Sequence, residues 1–320
     1  MLYKFENKTI VVTGGSGYIG SAIIQKLIGN AKKIIRVSRK LLPPKIDVED
    51  WRLDLQKIDA WLRIVKEADI IIHLAVNTSL FDSEKNPNES YISSQLPVSL
   101  LIKASHKLNY RPRVVFASTA TVYGMKDSLP VTEDSEKIPI TVYDNHKLLI
   151  EEQLAIATKE RIVSAISLRL ANVYGPSQSE SGSADRGILS KIVKKSITEQ
   201  KIQIYGAGKQ LRDYIYIDDV VDAFLSVCLI KTSHVAFNVA SGKGTSLNEV
   251  FSLIASEVTR CSGNNVNINY LDWPIDINEI EKRNFIGSIE LLKSESEWTP
   301  TINIKDGVRL LVENYAKSYK

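Results

Sequence analysis

Thr13-Gly14-Gly15-Ser16-Gly17-Tyr18-Ile19-Gly20 follows a short apolar run, residues 8–13, and opens directly into Ser21-Ala22-Ile23-Ile24-Gln25-Lys26-Leu27, a segment of helical character. Glycines are required where a strand turns tightly into a helix and where the backbone must come close to a pyrophosphate held by the first helical amides. Strand, glycine loop and helix in that order predict a dinucleotide site, with Gly14, Gly17, Tyr18, Ile19 and Gly20 as candidate contacts. Beyond the loop, apolar runs at residues 34–38, 69–74, 113–118 and 164–168 alternate with amphipathic segments. That alternation predicts an α/β fold of the Rossmann type, a doubly wound parallel sheet with helices on both faces.

Past Asn172 the pattern loosens. Residues 187–198 read as a helix, 202–205 as a strand, 219–229 as a further apolar run and 236–239 as a strand. The expected division is a nucleotide-binding domain over residues 1–171 and a smaller C-terminal α/β substrate lobe over residues 172–320, with the chain returning to the first domain around residues 213–243.

Composition narrows the function classes. A chain of 320 residues, 44% of them apolar, has room for a sizeable core and for two domains or one with a large second lobe. The net charge of +4 is spread without a Lys/Arg block, so nucleic acid is not an expected partner. Cys228 and Cys261 are too few for a disulfide framework, and the four histidines are scattered, so a reducing cytoplasm and no metal are expected. Residues 1–6 lack signal-peptide order and no apolar run could span a bilayer, so no membrane partner is expected. The longest polar stretch, residues 177–186, reads as a flexible loop.

Tyr143 and Lys147 stand one helical turn apart, at the start of a segment that continues into Leu148-Leu149-Ile150-Glu151-Glu152-Gln153-Leu154. Residues i and i+4 of a helix share a face, so an ammonium at 147 can favour the ionised form of a phenol at 143 and make it a usable acid or base. Tyr205 and Lys209 repeat the spacing, but Gly206 and Gly208 lie between them and that segment reads as a turn. Thr119, at the end of the buried-looking run 113–118, could complete a proton-transfer site with the first pair.

The end of the second strand discriminates between cofactors. An acidic residue there binds the ribose hydroxyls of NAD, whereas this chain has Ile35-Arg36-Val37-Ser38-Arg39-Lys40. The Ser38 hydroxyl and the Arg39 guanidinium can instead bond and neutralise a 2′-phosphate, which points to NADP(H), with NAD as the alternative.

Together these motifs resemble the extended short-chain dehydrogenase/reductase family, in its nucleotide-sugar epimerase/reductase branch typified by UDP-galactose 4-epimerase. The resemblance covers nearly the whole chain. It rests on the glycine loop, Asp54-Leu55, His73-Leu74-Ala75, Ala117-Ser118-Thr119-Ala120-Thr121-Val122-Tyr123-Gly124, Tyr143 with Lys147, Arg169-Leu170-Ala171-Asn172-Val173-Tyr174-Gly175-Pro176, Arg212-Asp213-Tyr214 and Glu297-Trp298-Thr299-Pro300. It implies that Asp54 and Leu55 flank the adenine, that Ala75 and Val76 pass under the pyrophosphate and ribose, and that Ala171 is a further cofactor contact. It also implies that Lys147 bonds the nicotinamide ribose, that Tyr143 moves the proton and that Thr119 bonds the reacting sugar oxygen. Asn172, Arg212 and Arg283 would hold the substrate diphosphate, and a homodimer would form through helices that include residues 96–107 and 143–157. The family usually carries Asn at the position matched by Ser94, whose side chain is shorter.

Dehydratases of this family carry an acidic residue immediately after the Thr or Ser, and Ala120-Thr121 supplies none. The expectation is therefore NADP(H)-dependent reduction of the 4-keto group of a nucleotide-linked 4-keto-6-deoxyhexose. A 4-epimerase of a UDP-sugar using NAD is the alternative, and a non-catalytic cofactor-binding regulator on the same fold is the third reading.

Overall fold

The computed structural model describes residues 4–39, 42–76, 80–177, 187–275 and 277–318. Its first half runs Phe5–Thr13 (β1), Tyr18–Leu27 (α1), Ala31–Ser38 (β2), Val48–Arg52 (β3), Ile58–Glu67 (α2), Ile70–His73 (β4), Leu80–Lys85 (α3), Pro87–Leu108 (α4), Arg113–Thr119 (β5), Val142–Lys159 (α5) and Ser164–Leu170 (β6). The second half adds Asn172–Tyr174 (β7), Ile188–Glu199 (α6), Lys201–Tyr205 (β8), Leu211–Tyr216 (β9), Ile217–Val227 (α7), Ala236–Val239 (β10), Gly244–Ser246 (β11), Leu247–Ser262 (α8), Asn267–Leu271 (β12), Glu290–Ser296 (α9) and Ile304–Ser318 (α10). Of the polar stretch 177–186, only Ser177 lies within the described residues.

Seven strands form one sheet in the order β10-β6-β5-β4-β1-β2-β3, and every neighbouring pair is parallel. The order reverses at β1, the doubly wound arrangement the alternating runs predict. Each central strand is apolar on both sides because helices cover both faces. Ile10 and Val12 of β1 join one core with Ile23, Ile24 and Leu27 of α1 and Val220, Val221 and Phe224 of α7. Val11, between them, points the other way into a core with Trp61 and Ile64 of α2, Val98 and Leu101 of α4, and Ile150 and Leu154 of α5.

β3 escaped the sequence reading. Its residues are Val48-Glu49-Asp50-Trp51-Arg52, and Trp51 alone among them is buried, so it carries too little apolar character to stand out as an edge strand.

The C-terminal half packs around a third core that includes Leu189 and Val193 of α6, Ile202 and Ile204 of β8, Phe251 and Ile254 of α8, and Leu311 of α10. Two small sheets belong to it, β11-β9-β7 and β12-β8, while α7 and β10 go back to the large sheet, where β10 pairs with β6. The segment Glu297-Trp298-Thr299-Pro300 is a staple onto α7. Trp298 Nε1 donates to the Asp219 carbonyl at 3.0 Å, and the buried Asp219 carboxylate accepts from the amides of Thr301 and Ile302 at 2.9 and 3.1 Å.

Candidate functional site

β1, β4, β5 and β6 end side by side at Thr13, His73, Thr119 and Leu170, and the candidate residues gather on the loops beyond that edge. Gly14, directly after β1, has φ of +70°, and a Cβ there would stand 2.9 Å from the Ala75 amide nitrogen. The loop after β4 therefore lies against the glycine loop, and only glycine permits the approach. Gly17 caps α1 without a side-chain hydrogen bond, and no acidic residue occupies the first turn. Bare first-turn amides with no competing carboxylate fit a pyrophosphate. Tyr18 contributes only its main chain to this loop: its ring is buried in the third core, and its hydroxyl donates to the Gly175 carbonyl at 3.0 Å.

His73 lies under the same loop. Its Nδ1 pairs with Thr13 Oγ1 at 2.8 Å, and burial, with the Lys147 charge nearby, lowers its pKa to about 3 and keeps the ring neutral. At the end of β2, Ser38 stands opposite Arg52 of β3, and Arg52 Nε donates to the Arg39 carbonyl at 3.3 Å. Arg39 and Arg52 are both exposed. The nearby carboxylate, Asp50, is already held by the buried Arg36 through bonds of 2.5 and 2.9 Å. This edge is therefore cationic, and Arg52, hidden within the unrecognised β3, extends what Ser38 and Arg39 suggest; Lys40 lies outside the described residues. Asp54 is exposed and accepts from the Gln56 amide at 3.0 Å, while the half-buried Leu55 packs on the α2 side and its carbonyl accepts from Trp61 Nε1 at 2.8 Å. Ala75 and Val76 are half-buried, Ala171 is buried, and Ser94 is buried within α4.

Tyr143 enters the site because α5 starts one residue before it. Thr141 caps this helix in a reciprocal box with Asp144, which leaves Tyr143 in the first turn and Lys147 one turn on. Lys147 Nζ donates to the Ala117 carbonyl of β5 at 2.6 Å, 5.6 Å from the Tyr143 ring centre and 4.8 Å from that of Phe116. Burial lowers its pKa to about 7, opposed by the Glu151 carboxylate. Thr119, two residues beyond Ala117, completes the trio from the end of β5. Tyr205 and Lys209, by contrast, flank a turn in which Gly206 and Gly208 have φ of +66° and +63°.

Three polar features were not legible from spacing. Asp144, fully buried, accepts from the Thr121 hydroxyl, which in turn meets Thr119 Oγ1 at 2.8 Å. A carboxylate absent from positions 120 and 121 thus arrives from α5. Behind Lys147, Glu151 accepts from Ser118 Oγ and from Arg169 Nε and Nη2, the latter at 2.7 Å. Arg169 also donates to Tyr123 Oη at 2.8 Å, and Tyr123 to Asn238 at 2.8 Å.

On the substrate side, Asn172 on β7 pairs in register with Tyr214 on β9. Arg212 is buried, and its guanidinium donates to the carbonyls of Leu211, Glu281 and Arg283. In this arrangement it holds the segment that carries Arg283, and burial together with the Arg283 charge lowers its pKa to about 10. Arg283 donates to the Ile280 carbonyl at 2.8 Å and lies within electrostatic reach of Asp144. Among the described residues no His, Cys, Asp and Glu cluster could hold a metal ion.

A family model described as the NAD dependent epimerase/dehydratase family matches residues 10–240. The chain belongs to this epimerase/dehydratase family. Within the family it is an extended short-chain dehydrogenase/reductase of the nucleotide-sugar epimerase/reductase kind. It is 30% identical to a putative UDP-glucose 4-epimerase of Methanocaldococcus jannaschii, over 97% of this chain and 98% of the relative. It is 28% identical to a dTDP-4-dehydro-6-deoxyglucose reductase of Escherichia coli, over 95% and 96% of the two chains. The UDP-glucose 4-epimerase of Thermotoga maritima, solved with UDP-glucose, superposes with a TM-score of 0.84 at 27% identity, covering 98% of this chain and 100% of that one.

Proposed function

We propose that this epimerase/dehydratase family member reduces the 4-keto group of a nucleotide-linked 4-keto-6-deoxyhexose with NADPH. The observation that carries the reading is the cationic end of β2, where Ser38, Arg39 and Arg52 meet and Asp50 is neutralised by Arg36. Such an edge suits a 2′-phosphate and lacks the acidic partner that a ribose 2′-hydroxyl prefers. The E. coli relative named as a 4-keto sugar reductase supports the same chemistry.

In this reading the first turn of α1 and the loop at Ala75 and Val76 cradle the pyrophosphate, and Lys147 bonds the nicotinamide ribose. The bound cofactor supplies hydride from nicotinamide C4. Tyr143 gives its phenolic proton to the sugar oxygen, Thr119 completes the hydrogen bonding around that oxygen, and Asn172, Arg212 and Arg283 stay near the nucleotide. A cytoplasmic setting agrees with the free thiols of Cys228 and Cys261, and no helix of the described residues is long and apolar enough to cross a membrane.

A homodimer through α4 and α5 is part of the proposal. Ile92 on α4 and Leu149 and Ile156 on α5 are exposed, and the two helices are joined where Ser99 Oγ donates to Gln153 at 3.3 Å. The experiment is turnover of dTDP-4-dehydro-6-deoxyglucose with NADPH, read as loss of absorbance of the reduced cofactor. The second reading, a UDP-sugar 4-epimerase using NAD, draws on the names of the M. jannaschii and T. maritima relatives. It predicts tightly held cofactor in the purified protein and sugar interconversion without added reductant. Retention of Tyr143, Lys147 and Thr119 speaks against a non-catalytic regulator.

A further inference from the structure

Asp144 and Thr121 form a chain of hydroxyls and carboxylate that ends on Thr119. Thr121 Oγ1 donates to Asp144 Oδ1, Thr119 Oγ1 and Thr121 Oγ1 are 2.8 Å apart, and the Thr121 amide donates to Thr119 Oγ1 at 3.2 Å. The second carboxylate oxygen, Oδ2, faces the Thr141 amide at 3.4 Å within the α5 capping box. Asp144 and Thr141 are buried, and Thr119 and Thr121 are half-buried at the mouth of the site.

The chain has a direction. An ionised carboxylate accepts hydrogen bonds and donates none, so the Thr121 proton goes to Asp144 and Thr121 Oγ1 has only lone pairs left for Thr119. The Thr119 proton then goes to Thr121, and Thr119 offers a lone pair to the sugar. In that polarity Thr119 accepts from a 4-hydroxyl, whereas donating to a 4-ketone breaks the Thr119 to Thr121 bond. From outside α5, Arg283 lies within electrostatic reach of Asp144. On α5 itself Asp144 is flanked by Tyr143, with Lys147 one turn on.

Building on the proposed function, we propose that Asp144 is a positioning residue that sets the donor and acceptor polarity of Thr119 through Thr121 and so weights the site toward the hydroxyl form of the sugar over the ketone. No proton or electron transfer to Asp144 is required; Tyr143 remains the donor.

Asp144→Asn reverses the polarity without changing shape. The Thr141 amide holds the carboxamide oxygen on its side, which turns the NH₂ toward Thr121, so Thr121 must donate to Thr119 and Thr119 to the sugar. The test uses two dead-end complexes: dTDP-4-dehydro-6-deoxyglucose with NADP⁺, and the corresponding dTDP-6-deoxyhexose bearing a 4-hydroxyl with NADPH. The readout is the ratio of the two dissociation constants, which cancels any effect of the lost charge on the diphosphate.

One hydrogen bond exchanged corresponds to a shift of roughly three- to tenfold toward the ketone in Asp144→Asn. Thr121→Val, which frees Thr119, shifts the ratio the same way, and Thr121→Ser keeps the wild-type ratio. Adding Asp144→Asn to Thr121→Val has no further effect, because the chain is already cut. A ratio unchanged in Asp144→Asn, with a wild-type melting temperature, overturns the polarity argument while the reductase reading stands. A wild-type protein that binds neither sugar overturns the functional reading and this inference with it.

Discussion

Lys147 Nζ holds the Ala117 carbonyl at 2.6 Å while standing 5.6 Å from the centre of the Tyr143 ring, so one side chain ties α5 to the strand that ends in Thr119. In the proposed reduction this tie fixes the phenol relative to Thr119. Tyr143→Phe keeps the ring and loses the proton. Turnover of the keto sugar is expected to fall by about 10²- to 10⁴-fold with NADPH affinity unchanged. Near-normal turnover in single-turnover kinetics would remove Tyr143 from its role.

The same burial makes Lys147 a stability determinant with a definite sign. Its folded pKa is about 7, against an ordinary value of 10.5. Between those values the unfolded chain binds a proton that the folded chain has released, so folding is favoured increasingly as pH rises from about 7 to 10.5. The contribution is up to about 1.4 kcal/mol per pH unit in that window. Urea denaturation of the cofactor-free protein at pH 7, 8 and 9 should show it, and Lys147→Met should lack it. Parallel profiles for the two proteins would contradict the assignment. A bound dinucleotide, being anionic, draws the ammonium back toward its charged form.

The fold was legible because its strands are buried on both faces and therefore read as continuous apolar runs, as Ile70-Ile71-Ile72 does. β10 was found at the residues it occupies, 236–239, although it stands at one edge of the sheet, because three of its four residues are buried. The opposite edge strand, β3, buries Trp51 alone and has no such signature, and Arg52 went unnoticed with it. Tyr143, Lys147 and Thr119 could be named because residue type and helical spacing carry their chemistry. Asp144 could not, since its neighbour Thr121 lies 23 positions earlier and only the return of α5 against β5 joins them. Arg212 shows the converse: a residue named for a phosphate has its guanidinium directed at main-chain carbonyls.

Beneath the site, Glu151 and Arg169 are each only 6% exposed and are joined at 2.7 Å. Ser118 donates to the same carboxylate, so the pair also braces the strand that leads to Thr119. Arg169→Met leaves that carboxylate buried without its cation, and a loss of about 3–5 kcal/mol in chemical denaturation is expected. Replacing both members, with Glu151→Leu added, should recover much of the loss, because two apolar side chains of similar size need no partner. If the single variant costs less than about 1 kcal/mol, water reaches the carboxylate and the pair is not the brace described.

In the proposed function cofactor choice turns on Arg39 and Arg52, which are joined by the Arg52 side chain, its Nε donating to the Arg39 carbonyl at 3.3 Å where β2 and β3 end. Neither guanidinium is needed by the core, since both residues are exposed and the buried arginine of this edge, Arg36, already has Asp50 and the Pro43 carbonyl. Arg39→Ala should therefore spare the fold and act on ligand alone. A charge-assisted bond to a 2′-phosphate contributes about 1.5–3 kcal/mol, so the expected loss is roughly ten- to a hundredfold in NADPH affinity, with NADH affinity unchanged. Arg52→Ala should weaken NADPH in the same direction and by less, because its Nε is partly committed to the Arg39 carbonyl. Fluorescence titration with both reduced cofactors separates the cases. Equal losses for NADPH and NADH would mean that the arginines meet the adenosine rather than its phosphate, and the preference for NADP(H) would then have no support from this edge.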